Sequence, residues 1–164
     1  MAERHDNRAL TLIEMMVVLA IIVLLAGLVV TLTLRVDSQS KEGALDNAFA
    51  LLNTSLREYY QQKDTFPEQT ERDSANALAH IELMTQMLRS VPDSRHVLDQ
   101  LNPALLRSDA GVATALELKD PWGTVLDYIY DPSAGDSFPE LVSAGPDKRF
   151  GTADDISSKS IKKN

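Results

Sequence analysis

The chain has 164 residues, with 24 acidic against 16 basic side chains, a net charge of -8 and no cysteine. The acidic balance, with no basic stripe outside the short tail KSIKK, excludes the electrostatic footprint of a duplex-binding protein and predicts no nucleic-acid partner. The lack of cysteine excludes disulfide staples, thiol chemistry and thiolate metal sites, and leaves the compartment unread.

The leader MAERHDNRA sets Arg4 and Arg8 against Glu3 and Asp6 and runs into a mostly apolar stretch of twenty residues, 15–34. At about 1.5 Å per residue, twenty helical residues cover about 30 Å, the hydrocarbon thickness of a bilayer, which predicts a membrane span. A secretory signal peptide would have a basic leader, an apolar core of about 7 to 15 residues and a small-residue cleavage site. Here the leader is balanced, the core is longer, and beyond Ala26-Gly27 the sequence stays apolar as LVVTLTL. Glu14 stands at the N-terminal edge of this run. A carboxylate at the edge of hydrocarbon is costly unless paired or at the interface, which marks Glu14 as a functional position.

The order of a short polar leader, the small Ala9, then Leu10-Thr11-Leu12-Ile13-Glu14 running into an apolar helix resembles the class III leader of type IV pilins and type II secretion pseudopilins. The family's TLIE is intact, Ala9 stands where Gly is usual, and Leu10 where Phe is usual. The resemblance implies that a prepilin peptidase cuts between Ala9 and Leu10 on the cytoplasmic side and methylates the new N-terminus. It implies assembly roles for Thr11 and Glu14. A glutamate four residues from a fresh ammonium neutralises that charge, in its own or a neighbouring chain, at a low dielectric where an unpaired charge is expensive. It also implies an α+β, type IV pilin-like fold: a long N-terminal helix, its first half membrane-spanning, packed on a small head of short helices and a small antiparallel β-sheet.

After Arg35 the apolar positions become periodic: Leu45, Phe49, Leu52, Leu56 and Tyr59 describe one face of an amphipathic helix. Gly43 is a single tolerated cost and the first proline downstream is Pro67, so one helix is expected over residues 12–63, ended by LREYYQQKDTFP. Residues 71–107 read as two shorter helices. Ala77, Leu78, Ile81, Met84, Leu88 and Val91 form an apolar face closed by Pro92. Ser94 can cap the second helix, which turns Val97, Leu98 and Leu101 inward and has Pro103 near its end. Met84 and Met87 read as core filler, and His80 and His96 lack the spacing of a metal or catalytic pair.

Pro121-Trp122-Gly123 marks a turn, 125–130 a strand and 141–143 a second strand after the loop DPSAGDSFPE. The final stretch, LVSAGPDKRFGTADDI, places Asp147, Asp154 and Asp155 within nine residues, bent by Gly145, Pro146 and Gly151. Hard cations such as calcium take six to eight oxygens from carboxylates and carbonyls, yet the spacing is not that of an EF-hand, and composition alone reads it as a solvated turn. The form Ser143-x-Gly145-x-Asp147 with a step of seven to Asp154, and DPWG upstream, resembles major pseudopilins of type II secretion. That resemblance implies calcium held by Asp147, Asp154, Asp155 and the backbone carbonyl of Ala144, with Lys148 where Gly is common.

The expected organisation is a leader at 1–9, a transmembrane and assembly helix at 10–34, the periplasmic half of the long helix at 35–66, a helical connector at 67–119 and a β-sheet with the acidic loop at 120–164. No G-x-S-x-G, H-E-x-x-H, Walker loop or dinucleotide turn occurs, and the chain is expected not to be an enzyme. The resemblance implies a pseudopilin of a type II secretion system. Its partners would be other pseudopilins in a polymer, the prepilin peptidase and an inner-membrane assembly platform, with the head in the periplasm. A type IV or competence pilin is the alternative.

Overall fold

The computed structural model of the protein describes residues 12–107 and 116–160, with their side chains except at 28–36 and 107. It divides into two compact units, Met1–Ser40 and Lys41–Asn164. The fold is α+β: a long N-terminal helix, shorter helices and a small antiparallel sheet.

Helix α1 covers Leu12–Lys63, the stretch that periodicity and the absence of proline predict. Its end is local chemistry. Asp64 takes φ 58°, the left-handed conformation that stops a helix, and its N–H closes on the Tyr60 carbonyl at 2.8 Å. Asp and Asn visit that region more readily than most non-glycine residues, which lets Asp64 end the helix in a conformation that glycine usually supplies.

Within the second unit the apolar stripe of α1, Leu45, Phe49, Leu52, Leu56 and Tyr59, is buried in one core with Ile81, Met84, Leu88, Leu98, Leu118, Leu126, Tyr128 and Leu141. Each fully buried Leu, Ile or Phe contributes about 1.5–3 kcal/mol. Met84 is core filler, as its place on the stripe predicts, whereas Leu78, read as part of the same face, is 41% exposed.

Helix α2 is Ala77–Arg89 and α3 is Pro92–Leu98. Two expectations are corrected here. Pro92 does not close α2 but opens α3 in its first turn, where its missing N–H costs nothing. Ser94 does not cap α3; Val91 holds the cap position, and Ser94 lies inside the helix, fully buried. There its Oγ donates to the Ser55 carbonyl of α1 at 2.9 Å, while the Ser55 Oγ donates to the Ser94 carbonyl at 2.9 Å.

Strands β1 (Leu106–Arg107) and β2 (Glu117–Leu118) form an antiparallel pair. Strands β3 (Asp127–Ile129), β4 (Glu140–Ser143) and β5 (Ile156–Ser157) form an antiparallel sheet in the order β3-β4-β5, with Tyr128 opposite Leu141 and Val142 opposite Ser157. β3 is shorter than the strand expected over 125–130. Val125 joins Lys119 in an isolated bridge, and Leu126 N–H goes to the Leu118 carbonyl at 2.9 Å, so the chain changes partner at the start of β3.

Candidate functional site

The residues singled out by sequence fall at two places in different units. Ala9, Leu10 and Thr11 lie outside the described residues. Glu14 is in the first turn of α1, where a carboxylate is favoured by the helix dipole, and its side chain is exposed. From residue 15 to 27 the helix is apolar on every side and exposed on every side, Val23 and Leu24 at 70% each for example. A helix hydrophobic all round belongs in lipid or in a core made with other chains. Among the described residues no helix is long and apolar enough to cross a membrane. The run read as a span, 15–34, continues into 28–36, whose side chains lie outside the description.

The second place is the loop after β4. Ala144 is completely buried, and Gly145 turns the chain with φ +62°. A Cβ at Gly145 would meet the Asp154 carbonyl oxygen at 2.2 Å, so glycine is required both by conformation and by close backbone approach. That contact folds the loop back on itself, and Asp154 fastens it by accepting the Asp147 N–H at 2.9 Å and the Thr152 hydroxyl at 2.5 Å. The Thr152 hydroxyl first, and then the Asp147 N–H, hold the Asp154 carboxyl below the usual carboxylate range. Asp147 accepts the Arg149 N–H at 2.8 Å, and Asp155 accepts the Gly151 N–H at 2.7 Å. Lys148 sits at φ 61°, which explains in steric terms why glycine suits that position.

The loop is joined to the DPWG turn by a residue that sequence reading passed over as part of a turn. Asp120 is buried, and its Oδ1 accepts the N–H groups of Trp122 and Thr124 at 3.0 and 2.8 Å. Its Oδ2 accepts the Ser143 hydroxyl at 2.6 Å, and the Ser143 Oγ accepts the Gly145 N–H at 3.1 Å. An Asp two residues before an N–H in a Pro-Trp-Gly turn is an Asx-turn signal, legible locally, whereas its reach to Ser143 is not.

The acidic loop carries the residue types of a calcium site. Its donors are all oxygen, as calcium requires. The Asp155 Oδ1 is buried without a hydrogen-bond partner, which is costly for a carboxylate and is what a cation would relieve. The carboxylates of Asp147, Asp154 and Asp155 are otherwise engaged by the loop's own donors, and among the described residues no group of three or more His, Cys, Asp or Glu is gathered to hold a metal ion.

Comparison with known proteins bears on the first place. Residues 4–30 match the family model of the prokaryotic N-terminal methylation motif. No curated protein and no solved structure matches the chain. The matched stretch contains Ala9, Leu10, Thr11 and Glu14, and over it the chain is similar to the prepilin signal of type IV pilin-like proteins, a structural motif that goes with a membrane-anchored N-terminus, peptidase processing and polymerisation.

Proposed function

We propose that this chain is a pseudopilin subunit of a type II secretion system, which polymerises from the inner membrane into a periplasmic pseudopilus that drives protein export. The observation that carries the reading is the methylation motif at 4–30 running straight into a helix that is apolar and exposed on all sides, borne by an α+β protein. In this reading residues 15–34 cross the inner membrane before assembly and then pack in the fibre, and the head lies in the periplasm. Cleavage between Ala9 and Leu10 creates an ammonium at Leu10 that Glu14 neutralises, which removes an unpaired charge from the fibre interior. What favours secretion over adhesion or DNA uptake is the final loop, Ser143-x-Gly145-x-Asp147 with Asp154 seven residues on. There Asp147, Asp154, Asp155 and the Ala144 carbonyl would hold calcium, which would order the loop.

The test is Glu14→Leu in cells. Insertion improves or stays equal, since the segment becomes more apolar. Mass spectrometry of the membrane fraction should show a chain beginning at Leu10. Fibres should be lost, and exported proteins should collect in the periplasm. Loss of surface fibres with export intact moves the reading to a type IV pilin, and undiminished fibres sink both.

A further inference from the structure

The outer edge of β3 is covered without a strand. In the β3-β4 pair Tyr128 lies opposite Leu141, whose N–H and carbonyl are taken by Ser158 on the far side of β4. By the alternation of an antiparallel ladder, the main-chain groups of Tyr128 and Tyr130 therefore point away from the sheet. Such a row of free donors and acceptors is a template for another strand. Here each of the four groups is occupied by a side chain. The Tyr128 N–H goes to Asp127 Oδ1 at 2.8 Å. Gln69 uses both ends of its amide, Nε2 donating to the Tyr128 carbonyl at 2.6 Å and Oε1 accepting the Tyr130 N–H at 3.1 Å, as a strand peptide would. Arg72 Nε reaches the Tyr130 carbonyl at 3.4 Å, and its guanidinium is anchored on Asp131 at 3.0 Å.

The segment carrying Gln69 and Arg72 is itself tied down. The Tyr128 hydroxyl donates to the Pro67 carbonyl at 2.9 Å, and Glu71 contacts His80 Nε2 at 3.0 Å while His80 Nδ1 contacts Asp127 at 2.8 Å. The opposite edge strand, β5, is only two residues long. A short edge and a covered edge are both ways in which a small sheet avoids pairing with a neighbour.

We propose that residues 67–73 are an edge guard, whose Gln69 and Arg72 side chains keep a second copy of this chain from adding its own β3 to this β3. The partner follows from geometry. An antiparallel pair of β3 strands centred on Ile129 sets Tyr128 of each copy opposite Tyr130 of the other, so a two-fold contact satisfies all the outward groups of both. The segment VLDYIY is rich in the residue types that favour such pairing. The guard confines head-to-head strand pairing and stands on the head geometry alone, whatever the polymer does.

The chain has no cysteine, so Ile129→Cys in the full-length protein in detergent micelles is a unique reporter. At the centre of the proposed pair it is a non-hydrogen-bonded position with Cα atoms about 4.5 Å apart, within disulfide range. With the guard intact, oxidation should yield little dimer. With Gln69→Ala and Arg72→Ala added, cross-linked dimer should rise at least tenfold at the same concentration. Equal cross-linking in the two backgrounds, high or low, overturns the proposal. Hydrogen exchange on the reduced protein at a dilution that keeps it monomeric supplies the control for folding: the Leu126 and Ser158 amides should stay protected in the variant while the Tyr130 amide loses protection. If the double variant unfolds, Gln69→Glu, which keeps size and acceptor but loses the donor to Tyr128, decides by the same cross-link comparison.

Discussion

Asp154 shows how one side chain can organise a loop. Its carboxylate accepts from Asp147 and Thr152, and the backbone at Gly145 packs against its carbonyl, so the charged form is the one the fold holds. Its carboxyl, like that of Asp131 beneath the Ser133 hydroxyl, lies below the usual carboxylate range. A folded-state value below the unfolded one means stability that is present above about pH 3.9 and lost as pH falls through the folded value. The melting temperature of the native protein should exceed that of Asp154→Asn at pH 7, and the gap should close as the solution is taken below about pH 4. A gap that stays constant from pH 7 to pH 3 would show that the charge on Asp154 does not hold the loop.

At the scale of elements, α1 and α3 are joined by apolar packing and by the reciprocal Ser55–Ser94 pair, in which each hydroxyl donates to the other residue's carbonyl and the two Oγ atoms lie 2.8 Å apart. A buried hydrogen bond of this kind contributes about 1 kcal/mol net, and stranding a buried partner costs about 1–3 kcal/mol. Ser55→Ala and Ser94→Ala should each destabilise by about 1–2 kcal/mol. The double variant should lose less than the sum by about 0.5 kcal/mol or more, because the two hydroxyls act as a unit. Urea unfolding followed by Trp122, the one tryptophan, reads this directly. Strict additivity would mean that the two serines sit side by side without coupling.

For the molecule as a whole, calcium bound in the final loop would add stability to the folded protein. If the loop binds it, calcium at about 100 times its dissociation constant should stabilise the folded state by about 2.7 kcal/mol, a melting shift of several degrees. Magnesium should substitute poorly, since it demands tight octahedral geometry and releases water reluctantly. Asp147→Ala and Asp154→Ala should abolish the shift. Identical melting curves in calcium and in chelator would leave the loop as a hydrogen-bonded turn and remove the main support for secretion over other pilin-like functions. A net charge of -8 makes the same experiment sensitive to ionic strength, so both arms need equal salt.

Sequence by itself determined α1 and the stripe that buries it, since helix periodicity, the lack of proline before Pro67 and the run of TLIE into apolar residues are signals carried by neighbours a few positions apart. It also placed the buried glycine turn and the aspartates around it in one loop. Tertiary structure decided what depends on distant partners. Ser94 is a plausible cap by type but became a buried hydrogen-bonding group because Ser55, 39 residues away, faces it. β1 and β2 are two residues each and exist by pairing with each other. Gln69 covers Tyr128 and Tyr130 across 59 and 61 residues, and Asp120 reaches Ser143 across 23. Polar side chains carry no periodic signature of the partner they will meet. Their roles are fixed only when the apolar core brings these segments together and every buried donor and acceptor must be satisfied.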